Sequence, residues 1–155
     1  MPYFTTELKD DRFLIKSWIE GISRVEQIEL DLNKRVDLDT DQNAIKLKTI
    51  EGLIDTGATH SCITEEVASE LEIPVLTRNM IGTAGNDTLC SFYKAILYIP
   101  IQSSVDKKMH YFAKTGTFAG LPEQKKHRGY DCIIGMDILS HFTFQYANGQ
   151  LTMGW

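Results

Sequence analysis

Two short segments of this 155-residue chain hold residues whose types and order could do chemistry: Leu53-Ile-Asp-Thr-Gly-Ala-Thr-His-Ser61 and Cys132-Ile-Ile-Gly-Met-Asp-Ile-Leu139. In the first, an apolar stretch delivers Asp55, and the small hydroxyl residue Thr56 and then Gly57 follow at once. A carboxylate beside Leu53 and Ile54 must be hydrogen-bonded, paired or protonated, because an isolated buried charge is too costly to keep. Gly57 allows close backbone approach, so its N–H can reach the carboxylate, and the Thr56 hydroxyl is a further local partner. A carboxyl group held in this way can serve as a general acid or base. Asp, Thr and Gly are also common turn residues, and these three alone describe an ordinary strand-end turn equally well.

Other chemistry-bearing residues form no competing pattern. Cys62, Cys90 and Cys132 are odd in number and scattered, with no C-x-x-C pair. They offer neither a disulfide framework nor zinc spacing, and read as reduced, mostly buried apolar residues. His110, His127 and His141 lie at no metal-ligand spacing and read as surface or structural groups. The run Glu123-Gln-Lys-Lys-His-Arg128 reads as a solvated surface, and Trp18 and Trp155 as packing residues. No metal or other cofactor is expected.

The elements that must position Asp55 are mostly short alternating or apolar strands. Arg12–Ile19 predicts one strand, Gln27–Leu32 alternates as a half-buried one, and Ile45–Ile50 alternates and runs on toward Leu53-Ile54. The polar, Asp-rich stretch from Asn33 to Asn43 reads as a surface loop. Thr64–Leu71 predicts a short helix. Thr64 can cap it, two glutamates suit the first turn, Val67, Ala68 and Leu71 share a face, and Pro74 stops it. A glycine-punctuated stretch, Met80 to Asp87, precedes a strand from Phe92 to Ile101 and a shorter one from Met109 to Phe112. Gly116 to Gly129 reads as a long loop, and Cys132 opens a buried strand leading into a short helix. The chain ends on a hairpin: Asn148-Gly149, whose residues both accept positive φ, separates Phe142–Tyr146 from Leu151–Met153. The expected fold class is all-β, in one domain over residues 1–155, with N-terminal strands in 1–44.

Composition agrees with a globular domain: 43% of residues are hydrophobic and 24% charged, and the length suffices for a core without staples. A net charge of −5 argues against a general nucleic-acid binder, which needs a basic surface to displace counterions. The first residues show no basic-then-apolar signal pattern, and no apolar run reaches membrane-spanning length. No membrane partner is expected, and the expected location is cytoplasmic.

Together the segments change the weight given to Asp55. Asp55-Thr-Gly-Ala-x-x-Ser61 after an apolar strand, then Ile133-Ile-Gly135 before a short helix, resembles the retropepsin-like aspartic peptidases. It is most similar to the stand-alone bacterial and cellular members, which carry Gly-Met-Asp-hydrophobic-Leu after the second motif. The resemblance covers roughly Ile45 to the C-terminus. It implies an acid-protease barrel in which the two segments cross, Asp55 acts as catalytic residue, and Thr56, Gly57 and Ala58 support it in the active-site loop. It also implies a flap folding over substrate, for which Ile81, Gly82, Thr83, Ala84 and Gly85 are the candidate tip. Thr59, His60, Cys62 and Ile134 are candidate walls of the substrate groove.

The count of motifs gives a stoichiometry. Two-motif enzymes of the pepsin type complete their dyad within one chain, whereas Asp39-Thr40 and Asp87-Thr88 here run into Asp41 and Leu89 and supply no second copy. A dyad then needs a homodimer in which Asp55 faces its equivalent across a two-fold axis. The resemblance implies that Thr56 of each chain would bond across that axis. Retroviral enzymes place an acidic residue four positions after the catalytic Asp and an Arg after the second motif's Gly. Here Thr59 and Met136 stand at those positions, so a different local solution must fix the loop. The function expected is a homodimeric aspartic endopeptidase acting on polypeptide. A catalytically silent peptide-binding or dimerisation module on the same fold is the alternative.

Overall fold

In the computed structural model, which describes residues 3–22, 33–36, 47–83, 86–122, 124 and 126–155, strands dominate and two short helices interrupt them. The strands are β1 (Tyr3–Lys9), β2 (Arg12–Gly21), β3 (Asn33–Val36), β4 (Leu47–Ile54), β5 (Cys62–Thr64), β6 (Val75–Thr83), β7 (Asn86–Gln102), β8 (Met109–Leu121), β9 (Cys132–Ile134), β10 (Thr143–Ala147) and β11 (Gln150–Gly154). Helix α1 (Glu65–Glu70) follows β5, and α2 (Met136–Leu139) follows β9.

Pairing runs from β2 to β4, β9, β5, β8 and β7, and β7 returns to β2, so six strands close into a barrel. Closure removes sheet edges that would otherwise template aggregation. Its lumen is filled by branched aliphatic and aromatic side chains, among them Ile15, Ile50, Ile63, Leu97, Phe112 and Ile134, all at or below 1% exposure. Each such burial contributes roughly 1.5–3 kcal/mol relative to exposure. A smaller cluster around Ile22, Ile96, Tyr98 and Ala113 takes in Trp18, which meets Tyr111 edge-on at 5.3 Å.

Helix α1 forms as its sequence predicts, with Thr64 Oγ1 accepting from Val67 N–H and with Val67 and Ala68 buried. Its stop comes before Pro74, at Glu72, whose φ of 51° lies in the left-handed region. The C-terminal hairpin also forms, with φ of 52° at Asn148 and 76° at Gly149. β11 then pairs with β1, a strand with no counterpart in the sequence reading.

Two loop expectations are overturned. β8 runs to Leu121, past the start of the expected Gly116–Gly129 loop, because its later residues pair with both β7 and β5. Within the expected Asn33–Asn43 loop, Asn33–Val36 form β3 against Tyr111–Lys114 of β8. Backbone groups of β8 need partners there whatever the side-chain pattern of the segment that supplies them. The expected strand at Gln27–Leu32 lies outside the described residues. No described helix is long and apolar enough to cross a membrane.

Candidate active site

β9 lies between β4 and β5, parallel to the first and antiparallel to the second. The loop joining β4 to β5, residues 55–61, must therefore bridge the end of β9. That brings the two chemistry-bearing segments into contact. Asp55 N–H donates to Ile134 O at 3.1 Å, fixing where β4 ends. The chain then turns tightly, with Ala58 N–H donating to Asp55 O at 3.2 Å and Gly57 N–H to the carboxylate Oδ1 at 2.8 Å. The Gly57 donor expected from sequence is thus present. Asp55 is half-buried, and Thr56 and Gly57 are exposed at the turn.

The second half of the loop is fastened to the β9–α2 junction. Met136 and Asp137, at the start of α2, donate their N–H groups to Ala58 O at 2.8 Å and Thr59 O at 3.2 Å. These are donors a helix start leaves without intrahelical partners. Gly135 makes the approach feasible, since a Cβ there would lie 2.8 Å from Ala58 O. Ser61, fully buried, donates its hydroxyl to Asp137 Oδ1 at 2.6 Å and accepts from Gly135 N–H at 2.9 Å. Ser61 N–H donates to Asp137 Oδ2 at 3.0 Å. Below this junction, Asp131 exchanges backbone bonds with Glu51 and Thr64, and its Oδ2 accepts from Glu51 N–H at 2.9 Å.

One row of residues runs in register across the barrel strands: Leu14, Leu53, Ile133, Cys62, Ala119 and Phe92. Residues in one row share a face of the sheet. The adjacent row, Ile15, Gly52, Cys132 and Ile63, points into the core. The first row therefore presents an apolar strip on the opposite side, half-buried except at the fully buried Ala119. Alternation places Asp55 on that side as well, because Ile54 packs toward the core. Burial, with the Cys90, Asp137 and Asp55 charges adding to it, pushes the Cys62 thiol up to about 11. Cys62 is thus within electrostatic reach of Asp55 and of Cys90 on the β6–β7 hairpin.

That hairpin holds the residues named as the candidate flap tip. Ile81 pairs with Thr88, Gly82 with Asp87 and Thr83 with Asn86, while Ala84 and Gly85 lie outside the described residues. Asn79, Cys90, Ile81 and Thr88 share one face; Met80 and Leu89, 59% and 62% exposed, occupy the other.

Of the four groove candidates, Cys62 belongs to the apolar strip, and Thr59 and His60 are exposed on the loop. Ile134 is a correction: it is 1% exposed, packed over Gly52 in the core, and its neighbour Ile133 takes the groove-side place. In Cys132-Ile-Ile every residue is apolar, so the sequence holds no parity signal to separate the two. The tie from Ser61 to Asp137 has a faint sequence signal, two polar residues inside otherwise apolar segments, but no role was readable from it. Among the described residues no group of three or more His, Cys, Asp or Glu is placed to hold a metal.

A family model described as aspartyl protease matches residues 36–138, a span containing the first segment and all of the second but Leu139. In fold, the chain is similar to a crystal structure of a retropepsin-like aspartic protease from Rickettsia conorii. The TM-score is 0.54 with 15% identity, over 97% of this chain and 89% of that one. None of the curated proteins matches the sequence. The described architecture is the all-β acid-protease fold.

Proposed function

Taking as premise that the chain belongs to the aspartyl protease family, we propose that it is an endopeptidase whose active form is a homodimer, with Asp55 of each copy supplying half of a catalytic dyad. The observation that carries this reading is the setting of Asp55. It is a half-buried carboxylate at the end of β4, bonded by Gly57 N–H and tied to β9, in a sequence with a single Asp-Thr-Gly-Ala motif.

Two such carboxylates at close range cannot both ionise, so the pair shares one proton and titrates as a unit, the established behaviour of aspartic protease dyads. The ionised member takes a proton from water as the water attacks the peptide carbonyl. The protonated member donates to the carbonyl oxygen, and their roles exchange as the amine leaves. The substrate is an extended polypeptide with apolar side chains near the cleaved bond, which suit the strip from Leu14 to Phe92.

The second copy docks through β10. Among the described residues this strand pairs with β11 on one side and ends the sheet on the other, and all five of its residues are exposed. Thr143-Phe-Gln-Tyr-Ala147 carries no charge or proline to guard the edge, and Phe144 and Tyr146 are 40% and 62% exposed. Antiparallel pairing of β10 with its own copy is two-fold symmetric, as a dyad of identical carboxylates requires.

Asp55→Asn tests the reading. The variant should keep the far-ultraviolet circular dichroism and sedimentation of the wild type and lose activity on an unstructured protein substrate by at least about 10²–10⁴-fold. Wild-type cleavage rates in that variant would refute the assignment. A folded wild-type dimer that binds peptide and never cleaves it would leave the silent binding module in its place.

A further inference from the structure

Ser61 and Asp137 form a densely bonded polar pair, and the peptidase reading gives it no part. Five hydrogen bonds join residues 58–61 to residues 135–137. Three run through this pair, and two are the backbone bonds from Met136 and Asp137 to Ala58 and Thr59. Ser61 is fully buried and half of the bonding capacity of Asp137 goes to it, one oxygen to the hydroxyl and the other to the N–H. A carboxylate suits this task better than an amide, because both oxygens accept and bonds to a charged acceptor are roughly twice as strong as neutral ones. Thr59 and Met136 contribute no charge, so Asp137 is the ionisable side chain bonded to the loop at this junction.

We propose that Asp137, acting through Ser61, is the positioning residue that sets the placement of the Asp55 carboxyl. Its side chain bonds Ser61 and the Ile138 N–H, and it acts on Asp55 only through the loop. The chain between Asp55 and Ser61 is short and already pinned at Asp55 N–H, so fixing Ser61 fixes the path between the two. The proposal rests on the dyad reading for its catalytic consequence, but not for its structural one. Two carboxyls share a proton only when held close, and their closeness spreads the two apparent pKa values of the pair. A loosened loop lets the values approach each other and narrows the bell-shaped dependence of kcat/KM on pH.

The experiment uses the full chain carrying Asp137→Asn, Ser61→Ala, both together, or Val67→Ala, a core substitution in α1 that lowers stability away from the loop. The expected result is a folded Asp137→Asn variant with kcat lower by about 10–100-fold, KM within about threefold of wild type, and a narrower pH bell. The double variant should be no worse than the more damaged single one, since the two residues act as a unit. Val67→Ala should lower the melting temperature and leave the bell width unchanged. Independent losses in the double variant, or an unchanged bell with only a smaller active fraction, would overturn the proposal. A second readout needs no activity: iodoacetamide labelling of Cys62, resolved by peptide mass spectrometry. Cys62 adjoins Ser61, so its labelling at pH 8 should be faster by about tenfold in Ser61→Ala, which breaks the tie and keeps the Asp137 charge near the thiol, while buried Cys132 stays protected. Unchanged Cys62 labelling would refute the clamp. A wild-type chain that cleaves no peptide would refute the dyad reading alone and leave this arm to decide.

Discussion

Asp55 and Cys62 show how one loop gives neighbouring groups different environments. Asp55 sits at a turn where a backbone N–H meets its carboxylate, whereas Cys62, beyond the loop, has entered β5 and is surrounded by apolar and acidic groups. The thiolate is disfavoured, and the thiol rises from 9.0 to about 11. The sign follows from proton counting. Above the unfolded value the unfolded chain has lost the proton and the folded chain retains it, so stability falls as pH rises. The contribution of Cys62 is full below about 9 and lost as pH passes about 11, and buried Cys132 adds to it in the same direction. Cys62→Ala should therefore gain on the wild type across that window. Melting temperatures of the two proteins from pH 8 to 11 check this; a constant difference would contradict it.

At the scale of elements, the β9–α2 junction depends on Gly135, whose φ of −97° any residue adopts. Its role is room: an added Cβ would meet Ala58 O at 2.8 Å and His60 backbone atoms at 2.9 and 3.0 Å. Gly135→Ala should cost about 1–3 kcal/mol through overpacking. Urea unfolding measures this, and a loss under about 0.5 kcal/mol would mean the loop yields freely. The same junction marks what a sequence discloses. Gly135 was legible as part of a motif, as were Asp55 and the Asn148-Gly149 turn, because each states a local requirement in its own residue type. Which of Ile133 and Ile134 faces the groove was not, since parity is set by register with β4 and β5. β3 and the second half of β8 were hidden for a related reason. Their pairing satisfies backbone groups of distant strands, and a polar or glycine-bearing segment can do that without an alternating pattern.

At the scale of the molecule, a single Asp-Thr-Gly-Ala motif per chain makes activity, in the proposed dyad, a property of assembly. Closing the barrel leaves β10 as an edge, and in a two-residue hairpin the residues flanking the turn bond each other. Ala147 thus spends its backbone groups on Gln150, and those of Tyr146 point outward. Tyr146 can then be changed with little effect on the protomer, beyond an edge-on contact with Phe13 at 5.8 Å. Tyr146→Lys places an ammonium on the edge that meets its own copy in the proposed dimer, so two like charges are brought onto one interface. The expected result is a dimer dissociation constant at least about tenfold higher, from like-charge repulsion and lost edge pairing. Specific activity should fall in parallel at low enzyme concentration and recover as concentration rises. Sedimentation velocity and a dilution series of the peptidase assay would be read together. Monomerisation without loss of specific activity would break the link between dimer and dyad, and an unchanged dimer would move the interface away from β10.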